Sequence, residues 1–162
     1  FRRVLFRSGL DNVDMGPLAS SRERDRFEKV LHRAIEQGAR VVTGAKRPER
    51  FARGWFHEPT VIEVSHDFDI MHGESFGPVA PVCRVDNLDQ AIEFANDSSV
   101  GLGANIYTSD LHEAFRAVHE IESGIVWVNT PLNDNDAVPF GGRKLTGSGR
   151  ELGAEGLEQF RR

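Results

Sequence analysis

A-N-I-Y-T-S-D-L-H-E-A-F-R-A-V-H-E-I-E-S-G-I-V-W-V-N, the stretch from Ala104 to Asn129, decides the fold. Ala104 to Thr108 has strand character. Asp110 followed by Glu113 marks a helix start, the helix is expected over Leu111 to Ile121, and Gly124 supplies the stop after it. Ile125 to Asn129 is then a second strand, and Ile125-Val126-Trp127-Val128 is apolar on both faces, as a central strand of a parallel sheet should be. Working outward, Val79 to Val85 reads as a buried strand and Leu88 to Ala95 as a helix opened by Asn87 with Gln90. Strands alternating with helices of this length predict an α/β fold built on a parallel, right-handed βαβ sheet.

Toward the N-terminus, Asp14-Met15-Gly16-Pro17-Leu18 is a turn into a helix. Ser20 with Glu23 forms a capping box, Phe27, Val30, Leu31, Ala34 and Ile35 share one face, and Gly38 ends the helix. Arg40 to Thr43 is a short strand, and Ala45 to Gly54 a solvated loop whose basic residues read as surface groups. Phe56 to Val64 returns to strand character around Pro59, which points to an edge or a break. The first eight residues, F-R-R-V-L-F-R-S, join the rest abruptly and resemble a translated sequencing adapter; they are set aside as a non-native scar, the alternative being a short basic strand. Residues 9–162 are then the domain proper. The missing initiator Met suggests a fragment.

Composition sets wide bounds. The 162 residues are 39% hydrophobic and 28% charged, ordinary for one soluble domain, with a formal charge of −5 that leaves no basic footprint for nucleic acid. No apolar run reaches membrane-spanning length. A single cysteine excludes an internal disulfide framework and fits a reducing, cytoplasmic setting.

Candidate chemistry begins at Gly73 to Cys83, G-E-S-F-G-P-V-A-P-V-C. Pro78 fixes its own φ and turns Gly77 away from helix, so the chain leaves this corner extended and Glu74 and Phe76 stand at its rim. A carboxylate accepts hydrogen bonds from two adjacent hydroxyls, as on a ribose, and an aromatic beside it offers a flat apolar face. The plain alternative is a surface Glu and a core Phe. In open parallel sheets ligands bind beyond the carboxyl ends of strands, which makes the loop after Asn129, with Asn133-Asp134-Asn135-Asp136 and then Pro139-Phe140-Gly141-Gly142, a second candidate. Asn and Asp are also simply favoured in loops.

The Gly-rich tail Gly142 to Gly149 fails as a phosphate loop, lacking both the lysine after the second glycine and a strand to introduce it. It reads as a tight return into a helix over Ala154 to Phe160, with Arg150 and Glu151 in structural pairs. Cys83 lies within an apolar strand with no His or helix N-terminus to hold a thiolate, so it reads as a small core residue. His112 and His119 are two turns apart on one helix, and the six histidines form no metal cluster by spacing.

G-W-F-H-E-P-T-V, E-S-F-G-P-V, A-N-D-S-S-V-G-L-G-A, I-V-W-V-N, P-F-G-G-R-K and G-S-G-R-E-L-G, in this order and at compatible spacing from about Met15 onward, resemble the C-terminal part of the catalytic domain in the NAD(P)-dependent aldehyde dehydrogenase superfamily. The resemblance implies oxidation of an aldehyde to its acid with NAD or NADP through a cysteine thiohemiacetal. It implies that Glu74 binds the nicotinamide ribose and Phe76 the nicotinamide side. Asn133, Asp134 and Phe140 would wall the aldehyde pocket, whose polar, acidic loop points to a hydrophilic, amine-bearing or hydroxylated substrate. The nucleophilic cysteine and general-base glutamate belong to segments upstream of Asp11, as does the cofactor domain, so this chain alone should not turn over. A homo-oligomer is implied for the intact protein, with an oligomerisation strand beyond Arg162, and isolation of the piece would expose unpaired edges. Two departures, Gly73 where many relatives carry a second acid and Val100 where they carry Tyr, leave the subfamily open. A non-catalytic α/β binding or interaction module and an acylating relative are the alternatives.

Overall fold

The computed structural model describes residues 15–49, 51, 53–130, 133 and 135–161. The readings of Phe1–Ser8, of Asp14 and of Asp134 therefore lie outside the described residues. The chain divides into two compact units, one up to Arg84 and one from Val85.

In the first unit, α1 (Ser21–Glu36) starts where Ser20 accepts the Glu23 N–H at 3.2 Å, satisfying one of the helix's free donors. It ends at Gly38, whose φ of 108° is open to glycine at little cost. Its apolar stripe buries Phe27, Leu31 and Ala34, with Val30 against them; Ile35, expected on that face, is 37% exposed. This stripe packs on a three-stranded sheet of β1 (Arg40–Thr43), β2 (Thr60–Glu63) and β3 (Val79–Val82), in that spatial order. β2 begins directly after Pro59 and is the middle strand, so the proline marks a strand start. β1 and β2 are antiparallel with a bulge between Val41 and Thr43, while β2 and β3 are parallel from Thr60↔Val79 to Glu63↔Val82. Between them lies a single helical turn that the sequence reading left unassigned, α2 (Asp69–His72), which buries Ile70 and pairs Asp69 with Arg33 of α1.

β3 corrects the expectation of a buried strand from Val79 to Val85. It is shorter, and it alternates: Val79 and Cys83 pack against the core, whereas Val82 and Val85 are 48% and 42% exposed. A period of two along a strand separates faces even when both carry apolar residues. Cys83 is a half-buried residue at the core's margin, its Sγ 3.5 Å from the Arg84 carbonyl oxygen.

The second unit contains α3 (Leu88–Asn96), β4 (Val100–Gly101), β5 (Gly103–Ile106), α4 (Leu111–Glu120), β6 (Ile125–Val128), β7 (Arg143–Lys144) and α5 (Gly153–Glu158). Asn87 accepts the Gln90 N–H at 3.0 Å while Gln90 accepts the Asp86 N–H at 2.7 Å. Asp110 takes the N–H groups of His112 and Glu113. β5 and β6 pair in parallel through the α4 crossover, the βαβ unit expected. Trp127, in β6, is 8% exposed and lies over Gly103, where a Cβ would press into the indole. β4 and β7 form a short antiparallel pair. His112 and His119 are exposed on α4.

Candidate functional site

The corner after α2 carries the first candidates. Glu74 is exposed and Phe76 is 62% exposed, so the aromatic is a rim residue and not part of the core. Phe76 also holds a φ of 42°, a left-handed conformation costly for a bulky side chain. The backbone then turns tightly, the Val79 N–H reaching the Gly77 carbonyl at 2.8 Å, and the Pro78 carbonyl accepts the Thr60 N–H at 2.8 Å to begin the β2–β3 ladder. Gly77 rests on the buried ring of Phe27, with no room there for a Cβ. Above the corner, the Arg26 guanidinium sits 5.1 Å from the Phe76 ring centroid and its Nη2 donates to the Glu74 carbonyl oxygen at 3.3 Å. An exposed carboxylate two residues from an exposed ring, on a loop anchored to a buried aromatic, fits a ligand with a vicinal diol next to a flat heterocycle.

Beside this corner a cavity of about 300 Å³ is bounded by the Met15–Leu18 segment, Gly77, Pro78 and His57. The sequence reading missed His57, which is 3% exposed, donates from Nδ1 to the Glu58 carbonyl oxygen at 2.9 Å and meets Phe27 edge-on at 4.8 Å. Burial, opposed by its bond to the Glu58 carbonyl, holds its pKa below the ordinary histidine value. Spacing offered no signal for it: one His between Phe56 and Glu58 looks like any surface residue.

The second candidate loop is organised by Asn129 and Trp127. Asn129 adopts a φ of 55°, which asparagine tolerates better than most side chains, and its amide both accepts the Thr108 N–H at 2.9 Å and donates to the Thr108 carbonyl at 2.8 Å. The Trp127 Nε1–H donates to the Asn133 carbonyl at 3.0 Å. Asn133 is exposed, and Asn135 folds the loop on itself, its side-chain oxygen taking the Ala137 N–H at 2.9 Å. Phe140 is half-buried and bridges Glu151 by two backbone hydrogen bonds of 2.7 Å. Phe140 lines a cavity of about 420 Å³ with Leu102, Thr146, Glu151 and Phe160, and Asn133 is not among the described residues bounding it. Glu74 and Phe76 share one loop of the first unit, and Asn133 and Phe140 one segment of the second.

A further cleft of about 470 Å³ gathers Arg143, Lys144, Arg150 and Glu122 around the glycine-rich return. Two of its cations are engaged by the fold. Lys144 donates to the carbonyls of Asn96 and Ser98 and pairs with Glu122, whose carboxyl it holds below the usual range. Arg150 donates through Nη1 to the carbonyls of Gly142, Ser148 and Gly149, so its structural partners are backbone oxygens and not a carboxylate.

The family model described as the aldehyde dehydrogenase family matches residues 2–162. The NADP(+) succinate-semialdehyde dehydrogenase of Deinococcus radiodurans is 42% identical over 147 residues, 90% of this chain and 30% of that enzyme. The peroxisomal aminoaldehyde dehydrogenase 2 of Malus domestica is 40% identical over 90% of this chain and 29% of its own length. Among solved structures, a betaine aldehyde dehydrogenase of Staphylococcus aureus in complex with NAD+ superposes with a TM-score of 0.91 at 36% identity, over 97% of this chain and 32% of that one. The chain thus spans about a third of the length of the proteins it matches.

Proposed function

This chain belongs to the aldehyde dehydrogenase family, and from that premise we propose that the protein containing it oxidises an aldehyde to a carboxylic acid with NAD or NADP. Bound nicotinamide cofactor supplies the hydride acceptor. The chain's own part is to bind and orient: Glu74 accepts hydrogen bonds from the two ribose hydroxyls beside the nicotinamide, and Phe76 gives that end of the cofactor a flat apolar wall. Phe140, with Asn133 and Asp134, contributes one wall of the aldehyde pocket. The nucleophile that forms the thiohemiacetal, and the base that activates water to release the acid, come from outside these residues. Cys83, half-buried at the edge of a packed core, is no substitute.

The observation that carries this reading is the corner Gly73–Pro78, where a strained, exposed aromatic and an exposed carboxylate stand together on a braced loop. The polar loop Asn133–Asp136, together with relatives whose names specify charged or amine-bearing aldehydes, supports a hydrophilic substrate. A cytoplasmic homo-oligomer is part of the same proposal; no helix among the described residues is long and apolar enough to cross a membrane.

The test is to express the complete gene and follow reduced-cofactor formation over cationic, neutral and anionic aldehydes, with Glu74→Gln in parallel. Turnover of a polar aldehyde, with the Glu74→Gln variant raising the cofactor KM about tenfold, supports the proposal, since a hydrogen bond to a charged group contributes about 1.5–3 kcal/mol. A complete protein that oxidises none of them would favour a non-catalytic binding module. Release of a thioester in place of the acid would make it an acylating enzyme.

A further inference from the structure

We propose that Arg26 is a positioning residue: it fixes the ring of Phe76, and through it the carboxylate-bearing corner, in the conformation that receives the cofactor. The inference rests on the reading of Glu74 and Phe76 as cofactor contacts and concerns how they are held. Arg26 and Phe27 are consecutive on α1 and so project about 100° apart around the helix. Phe27 points into the core and supports Gly77 from beneath. Arg26 stays exposed and reaches the corner at other points, its guanidinium 5.1 Å from the Phe76 ring centroid and its Nη2 3.3 Å from the Glu74 carbonyl oxygen. One helix therefore holds the loop at Glu74, Phe76 and Gly77 with two adjacent residues.

The grip answers a question the corner raises. An aromatic at a φ of 42° persists only where its surroundings over-determine it. Gly77, seated on Phe27, fixes the backbone on one side of Phe76, but the ring itself is 62% exposed and gains no constraint from the core. A planar cation over the ring face, tied by a hydrogen bond to the carbonyl two residues earlier, constrains both the ring and the backbone that leads to it. Arginine suits this dual task because its flat guanidinium stacks while its N–H groups donate in the plane; a lysine ammonium keeps the charge and loses the stacking.

The experiment uses the protein encoded by the complete gene, with Arg26→Gln, Arg26→Lys, Phe76→Leu, Glu74→Gln and the double variant Arg26→Gln/Phe76→Leu. Two quantities are read: amide hydrogen exchange over residues 75–79 in the cofactor-free protein, and the dissociation constant of reduced cofactor from its fluorescence. Arg26→Gln is expected to speed exchange across the corner and weaken cofactor binding about threefold, with Arg26→Lys in between. In the Phe76→Leu background the same change should add less, leaving only the part carried by the hydrogen bond to the Glu74 carbonyl. Unchanged exchange in Arg26→Gln overturns the inference, and so does an equal loss of binding with or without Phe76. If Phe76→Leu and Glu74→Gln both bind cofactor as the parent does, the reading of the site fails by itself, and the exchange measurement still decides whether Arg26 holds the loop.

Discussion

The corner Gly73–Pro78 and the loop Asn129–Phe140 adjoin strands of parallel pairs, yet they are held in opposite ways. The first is shaped from a distance: Arg26 and Phe27, nearly fifty residues earlier, set the ring of Phe76 and the seat of Gly77. The second is held at its ends and by itself: Asn129 against Thr108, Trp127 on the Asn133 carbonyl, Asn135 on its own backbone and Phe140 against Glu151. A loop held by a remote helix can be altered without touching its own sequence. A loop pinned at both ends by neighbouring segments changes when either its own residues or those anchors change.

Four substitutions test that contrast in the expressed protein, the largest effect first. Gly124 precedes β6, and a Cβ there would fall on the carbonyl oxygen of Gly141, backbone against backbone. Gly124→Ala should cost about 3 kcal/mol or more in urea unfolding, because neither partner can rotate away. A shift of the midpoint corresponding to less than about 1 kcal/mol would show that the return Phe140–Gly142 moves freely.

Gly77→Ala meets a side chain instead, the ring of Phe27. About 2 kcal/mol is expected, and Phe27→Leu in the same chain should relieve part of the added cost although each change alone destabilises. Strict additivity would mean that the corner does not rest on that ring.

Trp127→Phe keeps most of the buried area and removes the 3.0 Å hydrogen bond to the Asn133 carbonyl. A loss of about 1 kcal/mol is expected, with faster amide exchange confined to the loop after Asn129. Exchange that rises instead across β5 would place the indole's role in the sheet.

The smallest effect is a pH dependence seated beside the first loop. Burial lowers the folded-state pKa of His57 below its ordinary 6.5, opposed by its bond to Glu58 and by the charges of Glu28 and Glu58, with Arg47 acting in the same direction as burial. The unfolded chain then binds the proton more readily, so this contribution is present in full above about pH 6.5 and declines as pH falls toward the folded-state value. His57→Leu should flatten the unfolding midpoint over that window, and an unchanged slope would show that the ring is not protected from the proton.

Much of the fold was legible because its signals are local. Ser20, Asn87 and Asp110 cap helices where their side chains reach N–H groups two or three residues on, and Gly38 stops α1 as a glycine open to positive φ does. The α2 turn was not legible, since Phe68 gives it no side-chain cap and four residues carry no periodicity. Nor was the one-sided burial of β3, because an all-apolar run conceals which face meets α1. In the candidate site, Glu74 and Phe76 were singled out by their order beside Gly-Pro together with the family resemblance, whereas the left-handed backbone of Phe76, the hold of Arg26 and the burial of His57 depend on partners far along the chain. Asn133 and Phe140 were found as loop residues after a strand, but only Phe140 borders a cavity among the described residues.

Asn129 extends the β5–β6 pair by one rung, its side-chain amide standing in for a strand's own peptide against both polar groups of Thr108. Few letters of the alphabet can be written there. Aspartate would set oxygen against oxygen at the Thr108 carbonyl, glutamine would carry the same amide one methylene too far, and glycine would accept the backbone while leaving the rung empty. The rung therefore depends on the amide's nitrogen as much as on its oxygen, since a carboxylate at this place keeps the bond to the Thr108 N–H and loses the one to its carbonyl.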